Sequence, residues 1–182
     1  MPTTRWTFDP VHSQIGFAVR HMMVSKTRGK FTKWDGTLDF DAARPENTTV
    51  AVEIDATSID TNEPQRDAHL RSPDFFDVEK FPTLTFKSTK IERAGDGFRV
   101  AGDLTIHGVT KPVVLDADFG GTVTDPYGNT RAGFSAKTAI DRKDYGLVWN
   151  MVLEAGGIAV ADKIEISLEI EAVQAKQQSA AA

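Results

Sequence analysis

Late in the chain Ile164, Ile166, Leu168 and Ile170 alternate with Glu165, Ser167, Glu169 and Glu171. Successive side chains of a β-strand leave on opposite faces, so this pattern dictates a strand with one apolar face and one wetted face. The pattern recurs along the sequence. Val50, Val52 and Ile54 alternate with Ala51, Glu53 and Asp55, while Phe98, Val100, Gly102, Leu104 and Ile106 alternate with Arg99, Ala101, Asp103 and Thr105. Val113, Leu115, Ala117 and Phe119 do the same against Val114, Asp116 and Asp118. Shorter versions fall at Ile15, Phe17 and Val19, at Leu38 and Phe40, at Leu84 and Phe86, and at Phe134, Ala136 and Ile140. Eight or nine strands are expected. Between them lie Ala94-Gly95-Asp96-Gly97, the stretch from His107-Gly108 to Lys111-Pro112, and Asp125-Pro126-Tyr127-Gly128-Asn129, all of turn-forming composition. Joints this short favour antiparallel pairing, because parallel strands need crossover helices. Only residues 20–26 and 65–72 are candidates for helix, and both are short.

An antiparallel sheet with one apolar face buries it under a second sheet or by closing into a barrel, and alternation alone leaves both open. Closure is reasonable at about eight strands, where the interior just admits side chains or one small ligand. A ten-residue strand spans roughly 33 Å, close to the roughly 30 Å hydrocarbon thickness of a bilayer. A barrel of such strands has room for one extended lipid-sized chain.

The chain is 182 residues long, 40% apolar and 26% charged, which is the composition of one globular domain. That domain is placed at residues 1–173, with a frayed tail at 174–182 (QAKQQSAAA) that has no apolar periodicity. There is no cysteine, so thiolate metal sites, disulfide frameworks and cysteine nucleophiles are excluded. Twenty-one Lys and Arg against 26 Asp and Glu give a formal charge of −5, which weighs against sequence-independent nucleic-acid binding. The first residues carry no apolar run of secretory type, so a cytoplasmic location is expected. The longest apolar stretch, residues 146–161, is broken by Asn150, Glu154 and a Gly pair. It reads as two short buried strands with a turn, not as a membrane span, and no stable membrane insertion is expected.

No nucleophile elbow, phosphate loop, zinc-protease signature or dinucleotide glycine fingerprint occurs, and no cofactor is implied. Of the four histidines, His12, His21, His69 and His107, no two lie at metal-ligand spacing. Each is expected to cap a turn or satisfy a loop carbonyl. His21 continues the inward phase of Phe17 and Val19, whereas His107 falls in the outward phase of its strand and is assigned to the surface. Same-phase carboxylates such as Asp116 with Asp118 read as solvated strand faces, so no catalytic acid–base pair is named. Charge is unevenly distributed. Residues 20–33 hold Arg20, Lys26, Arg28, Lys30 and Lys33 with no acid, while residues 55–80 hold seven acids against three bases. The two segments either attract each other or place cations at a barrel rim, where an anionic head group would dock. Residues 60–86 lack alternation but carry Phe75, Phe76 and Phe81 among charges. A loop this long in a compact domain either carries its own structure or is functional. A short helix bearing Arg66, Asp67, His69 and Arg71, with Leu70 facing in and the aromatics as a plug, would pin it across one barrel end.

Taken in order, several segments resemble the YceI-like family of lipocalin-like barrels. They are Phe8-Asp9-Pro10-Val11-His12-Ser13, Gly29-Lys30-Phe31, Gly36-Thr37-Leu38-Asp39, Ile59-Asp60-Thr61-Asn62, Arg66-Asp67-Ala68-His69-Leu70, Asp74-Phe75-Phe76-Asp77 and Phe81-Pro82. The same order continues in Gly102-Asp103-Leu104-Thr105-Ile106-His107-Gly108-Val109-Thr110-Lys111 and Ile140-Asp141-Arg142-Lys143-Asp144-Tyr145-Gly146. The resemblance runs from about Trp6 to Ala172. It implies an all-β, extended eight-stranded antiparallel barrel with one or two short helices, often a homodimer, that holds a long-chain isoprenoid or similar apolar lipid. It names no catalytic residue. Phe17, Val19, Phe40, Ile54, Phe86, Leu104, Leu115, Phe134 and Leu168 are the interior ligand-binding candidates, with His21, His69 and Arg71 near the mouth. Two rival readings remain: an enzyme using the cavity with His21 or His69 as base, and a structural module whose bore is packed solid.

Overall fold

The structure is a computed structural model, described over residues 3–153 and 159–176. The described residues form eleven strands: β1 (Thr4–Phe8), β2 (Gln14–His21), β3 (Ser25–Phe31), β4 (Trp34–Phe40), β5 (Thr49–Asp55), β6 (Ile59–Asp60), β7 (Thr83–Ala94), β8 (Gly97–Ile106), β9 (Val109–Thr124), β10 (Thr130–Asp141) and β11 (Val160–Gln174). One helix, α1 (Pro64–Arg71), lies between β6 and β7. All pairings are antiparallel. The ring runs β1-β4-β5-β7-β8-β9-β10-β11 and closes through β1 onto β11, giving an eight-stranded barrel.

The three additional strands extend broken staves of that barrel. β11 pairs with β2 along its first half (Ile166 opposite Phe17) and with β1 along its second (Val173 opposite Thr7). β1 and β2 therefore form one interrupted line along β11. The break is a 3₁₀ turn at Pro10–His12, where Pro10 lacks an amide for the ladder and the Asp9 carboxylate caps the Val11 N–H. β3 and β4 continue one another past β2 and β1 in the same way, and β5 is prolonged by β6, which pairs with β3.

Sequence periodicity recovers the eight staves but misses β1, β3 and the two-residue β6. Residues 20–26 are not helical: they are the end of β2, a turn at Met22–Val24 and the start of β3. Basic residues hide the alternation of β3, whose inward positions carry only Thr27, Gly29 and Phe31. The second candidate helix is real. α1 begins at Pro64, which fits the first helical position, and the Glu63 carboxylate accepts from the N–H groups of Gln65 and Arg66. The second turn signal is shorter than its composition suggests, because Lys111 and Pro112 already belong to β9. Gln174 pairs with Trp6 and the Ala175 N–H donates to Arg5 O at 2.9 Å, while residues 177–182 of the tail lie outside the described residues. Of the apolar stretch 146–161, residues 154–158 also lie outside them. Its first part is irregular and its last residues open β11.

Packing falls into two layers along the barrel axis. One cluster, including Ile15, Phe31, Ile54, Ile59, Leu84, Leu104 and Tyr145, fills the walls of the half that α1 covers. The other, Trp6, Leu38, Phe40, Ala132 and Ala172, closes the opposite end.

Candidate functional site

The inward faces of the staves do not fill the barrel. Two cavities of about 140 and about 190 Å³ lie end to end along the axis, and the surface facing each is apolar throughout. Ile15, Val52, Phe86, Leu115 and Leu168 line both, so the two are halves of one bore with a waist at these residues. The lining of β11 extends from Val160 to Ile170. At about 3.3 Å per residue and a strand tilt of about 40°, that is a bore roughly 25 Å long. Two inner-wall glycines let aromatic rings lie flat against the sheet. A Cβ on Gly29 would fall 2.3 Å from Phe17 Cζ, and one on Gly102 would fall 2.4 Å from Phe86 Cζ. The missing side chains are the space these rings occupy.

Aromatic side chains stand at both ends. At the end away from α1, the rings of Phe40, Phe119 and Phe134 pack within 5.0 to 5.3 Å of one another. At the α1 end, Leu70, Phe75 and Phe76 face the bore from the helix and the segment after it. This plug is tied to the barrel by polar bonds. Asp67, buried, accepts from the Thr61 N–H and hydroxyl, and Arg66 donates to Thr61 Oγ1 and O. Arg71 donates to the carbonyls of Thr57 and Ile59. On the facing side Arg142, only 2% exposed, sends its guanidinium to the carbonyls of Leu147, Trp149, Val160 and Ala161 at 2.6 to 3.2 Å. Burial pulls its pKa below the usual arginine value against the pull of Asp162 and Asp141. Its donors remain matched to backbone acceptors, as a buried cation requires.

All nine interior candidates line the bore: Phe17, Val19, Ile54 and Leu104 the half near α1, Phe40 and Phe134 the other half, and Phe86, Leu115 and Leu168 the waist. The three mouth candidates do not. His21 is half-buried at the end of β2, opposite Ser25 and Val160, and is absent from the lining. His69 lies outside the plug, bonded to Asp74 at 2.9 Å and edge-on to Phe75 and Trp149. Arg71 is spent on backbone carbonyls beside a separate polar hollow with Lys33 and Asp60. Helical spacing turned Leu70 inward and left its neighbours out. His107 is not a free surface residue: it sits at positive φ in the β8–β9 turn, donates from Nδ1 to Tyr145 O (3.1 Å) and packs on Phe81. The basic stretch does not form a rim either. Arg20, Lys26, Arg28 and Lys30 stand on the exposed face of β2 and β3, where Lys26 pairs with Glu165 of β11 at 2.7 Å.

Asp9, His12 and Glu171 bring one ligand atom each within 4.8 Å on the outer wall. The Arg131 guanidinium already stands among them, 2.8 Å from Asp9, 2.7 Å from Glu171 and 2.8 Å from Asp125. It supplies the positive charge that a metal would otherwise bring. Bonds from His12, then Arg131 and the Val11 N–H, lower the Asp9 carboxyl to about 2 against the cost of desolvation. The two histidine–carboxylate pairs among the described residues, His12–Asp9 and His69–Asp74, both lie outside the bore.

Residues 6–172 match the YceI-like domain. A UPF0312 protein of Vibrio cholerae is 41% identical over 164 residues, covering 90% of this chain and 82% of its own. Among solved structures, Burkholderia cenocepacia BcnA superposes with a TM-score of 0.80 at 23% identity, covering 90% of this chain and 98% of its own. A polyisoprenoid binding domain from Saccharophagus degradans, implicated in plant cell wall breakdown, superposes with a TM-score of 0.67 at 13% identity, covering 93% and 98%. At these identities the two structures establish the fold.

Proposed function

Because the chain belongs to the YceI-like family, we propose that it is a non-catalytic carrier whose bore holds one long-chain isoprenoid or similar amphiphile. The observation that carries this reading is the pair of adjoining apolar cavities inside the barrel. Interiors are normally packed to crystal density, and an unfilled cavity costs about 24 cal/mol per Å³. The half near α1 alone, at about 190 Å³, would forgo on the order of 4–5 kcal/mol if empty. Water does not recover that loss, because a water needs two to four polar partners and the lining offers none. An apolar chain does, at roughly 0.8 kcal/mol per buried CH₂. Two further supports are the polyisoprenoid binding domain of the same fold and the position, among the described residues, of both histidine–carboxylate pairs outside the cavity. A bore packed solid is likewise inconsistent with the two cavities.

Organic extraction of the purified protein followed by mass spectrometry should return one long-chain amphiphile per barrel. Absence of any such molecule in repeated preparations, together with no uptake of isoprenoid alcohols in solution, would sink the proposal. The homodimer implied by the family resemblance belongs to the same reading and is checked by light scattering of the purified chain.

A further inference from the structure

A cluster of exposed apolar side chains is unused by the barrel. Met22, Met23 and Val24 form the tip of the β2–β3 hairpin, exposed by 47, 62 and 82%. Val148, Met151 and Val152, exposed by 62, 56 and 81%, lie on the strap that runs beside it. The two segments are bonded into one surface: the Met22 N–H donates to Ala159 O at 2.8 Å and the Ala159 N–H donates to Met151 O at 3.0 Å. A contiguous apolar surface of this kind marks an interaction site. Its position is specific. Val160 and Leu147, which flank the patch, line the bore, so the patch adjoins the α1 end of the cavity.

The tip is also built against local preference. Met22 and Met23 both have left-handed φ, 49° and 62°. This conformation favours Gly or Asn, which is what a hairpin needing only a turn would carry. Two methionines held there project flexible, polarisable apolar side chains outward.

The surrounding charge selects the partner. Residues 20–33 contain no acid; Arg20 and Lys26 pair with each other just behind the tip, and Arg28, opposite Ala18, follows on the same exposed face of the hairpin. Among the described residues, the acids on the neighbouring elements are engaged: Glu165 holds Lys26 at 2.7 Å, and Asp162 lies 3.2 Å from Lys143. Asp141 caps the Lys143 N–H, Asp74 bonds His69, and Asp144 is solvent-exposed on the far side of the Arg142–Tyr145 turn. An apolar tip with basic residues on the strand face behind it is the arrangement that lies in the interface of an anionic bilayer, the apolar side chains entering the head-group boundary while the cations meet lipid phosphates. Half-buried Trp149, beside His69 and Phe75, adds an interfacial aromatic at the same end.

We propose that the β2–β3 tip and residues 148–152 form a docking surface for anionic lipid bilayers, placing the α1 end of the bore against the membrane for transfer of its ligand. Docking goes beyond the carrier reading, and only its purpose, the transfer of ligand, rests on that reading. The test is co-sedimentation of the full chain with large unilamellar vesicles of phosphatidylcholine containing 30% phosphatidylglycerol, and with pure phosphatidylcholine vesicles. Binding is expected to the anionic vesicles and to fall at least tenfold on pure phosphatidylcholine or in high salt. The double substitution Met22→Asn and Met23→Gly installs residues suited to left-handed φ, so the fold is kept or stabilised while the apolar tip is lost. Vesicle binding should fall at least tenfold, with uptake of an isoprenoid alcohol in solution unchanged. Leu104→Glu, which charges the bore, should lose that uptake yet dock like the parent. This separates failure of docking from failure of the carrier reading. No binding of the parent chain to anionic vesicles would overturn the proposal. So would full binding by the Asn-Gly variant, or a parent dimer that the variant converts to monomer without any vesicle association.

Discussion

Leu115→Glu places a carboxyl at the waist, where Leu115 is 9% exposed and lines both halves of the bore. In the unfolded chain this Glu titrates near 4.3. In an apolar bore the charged form is disfavoured, and shifts of 3 units or more are expected for a buried carboxyl. The folded state then holds its proton to about pH 7 while the unfolded state releases it near pH 4. The folded state therefore binds more protons across that window, and stability falls as pH rises. At about 1.4 kcal/mol per unit, the variant should lose roughly 4 kcal/mol relative to the parent between pH 4 and pH 7. Loss of the buried leucine adds a pH-independent cost of about 1.5–3 kcal/mol. The assay is the urea unfolding midpoint of both proteins followed by tryptophan fluorescence from pH 4 to 8, alongside uptake of an isoprenoid alcohol. Uptake should be lost at pH 7.5 and regained near pH 5, where the side chain is neutral. A stability difference that does not change with pH would refute the reasoning, because it would mean that position 115 reaches water.

Three further outcomes follow from other parts of the barrel. Gly29→Ala brings a methyl to 2.3 Å from Phe17 Cζ, where ordinary contact begins at 3.4 Å, so the ring must swing more than 1 Å into the bore. The variant should fold but take up long chains at least tenfold more weakly, as read by ligand titration. The Asp9 carboxyl, held at about 2 by His12 and Arg131, contributes stability that is complete above pH 4 and is lost as pH falls toward 2. Arg131→Gln should flatten that acid limb in a pH series of denaturation midpoints. Tyr145 is 1% exposed and its hydroxyl has no hydrogen-bond partner among the described residues. Tyr145→Phe should therefore be neutral or stabilising by up to about 1 kcal/mol, and a loss larger than that in thermal melts would reveal a bond to that hydroxyl.

The interior was the most legible part of the sequence, because period-two alternation encodes which face of a strand is wet. Leu104, Leu115 and Leu168 stand in the bore on that ground alone. The breaks in the staves were not legible. β1 is only five residues long, and the inward side of β3 is Thr27, Gly29 and Phe31, too small and polar to signal a buried face. Gly29 belongs there because the Phe17 ring from β2 covers it, a cross-strand fact that no local window contains. The side-chain directions at the mouth were hidden for a related reason. The loop that carries His69 and Arg71 was recognised as a plug, but helical spacing turns Leu70 inward and sends its neighbours to Asp74 and to backbone carbonyls. Arg142, which fastens the strap on the other side of the plug, gave no signal beyond an arginine in a charged run, because its four acceptors are backbone carbonyls spread over residues 147–161.

Affinity against chain length tests the carrier reading most directly. Isoprenoid alcohols of increasing length should bind more tightly by a near-constant step per unit, since each added CH₂ contributes up to about 0.8 kcal/mol. The gain should stop once the chain outgrows a bore of roughly 25 Å. Affinity that does not depend on chain length would contradict the bore as the ligand site.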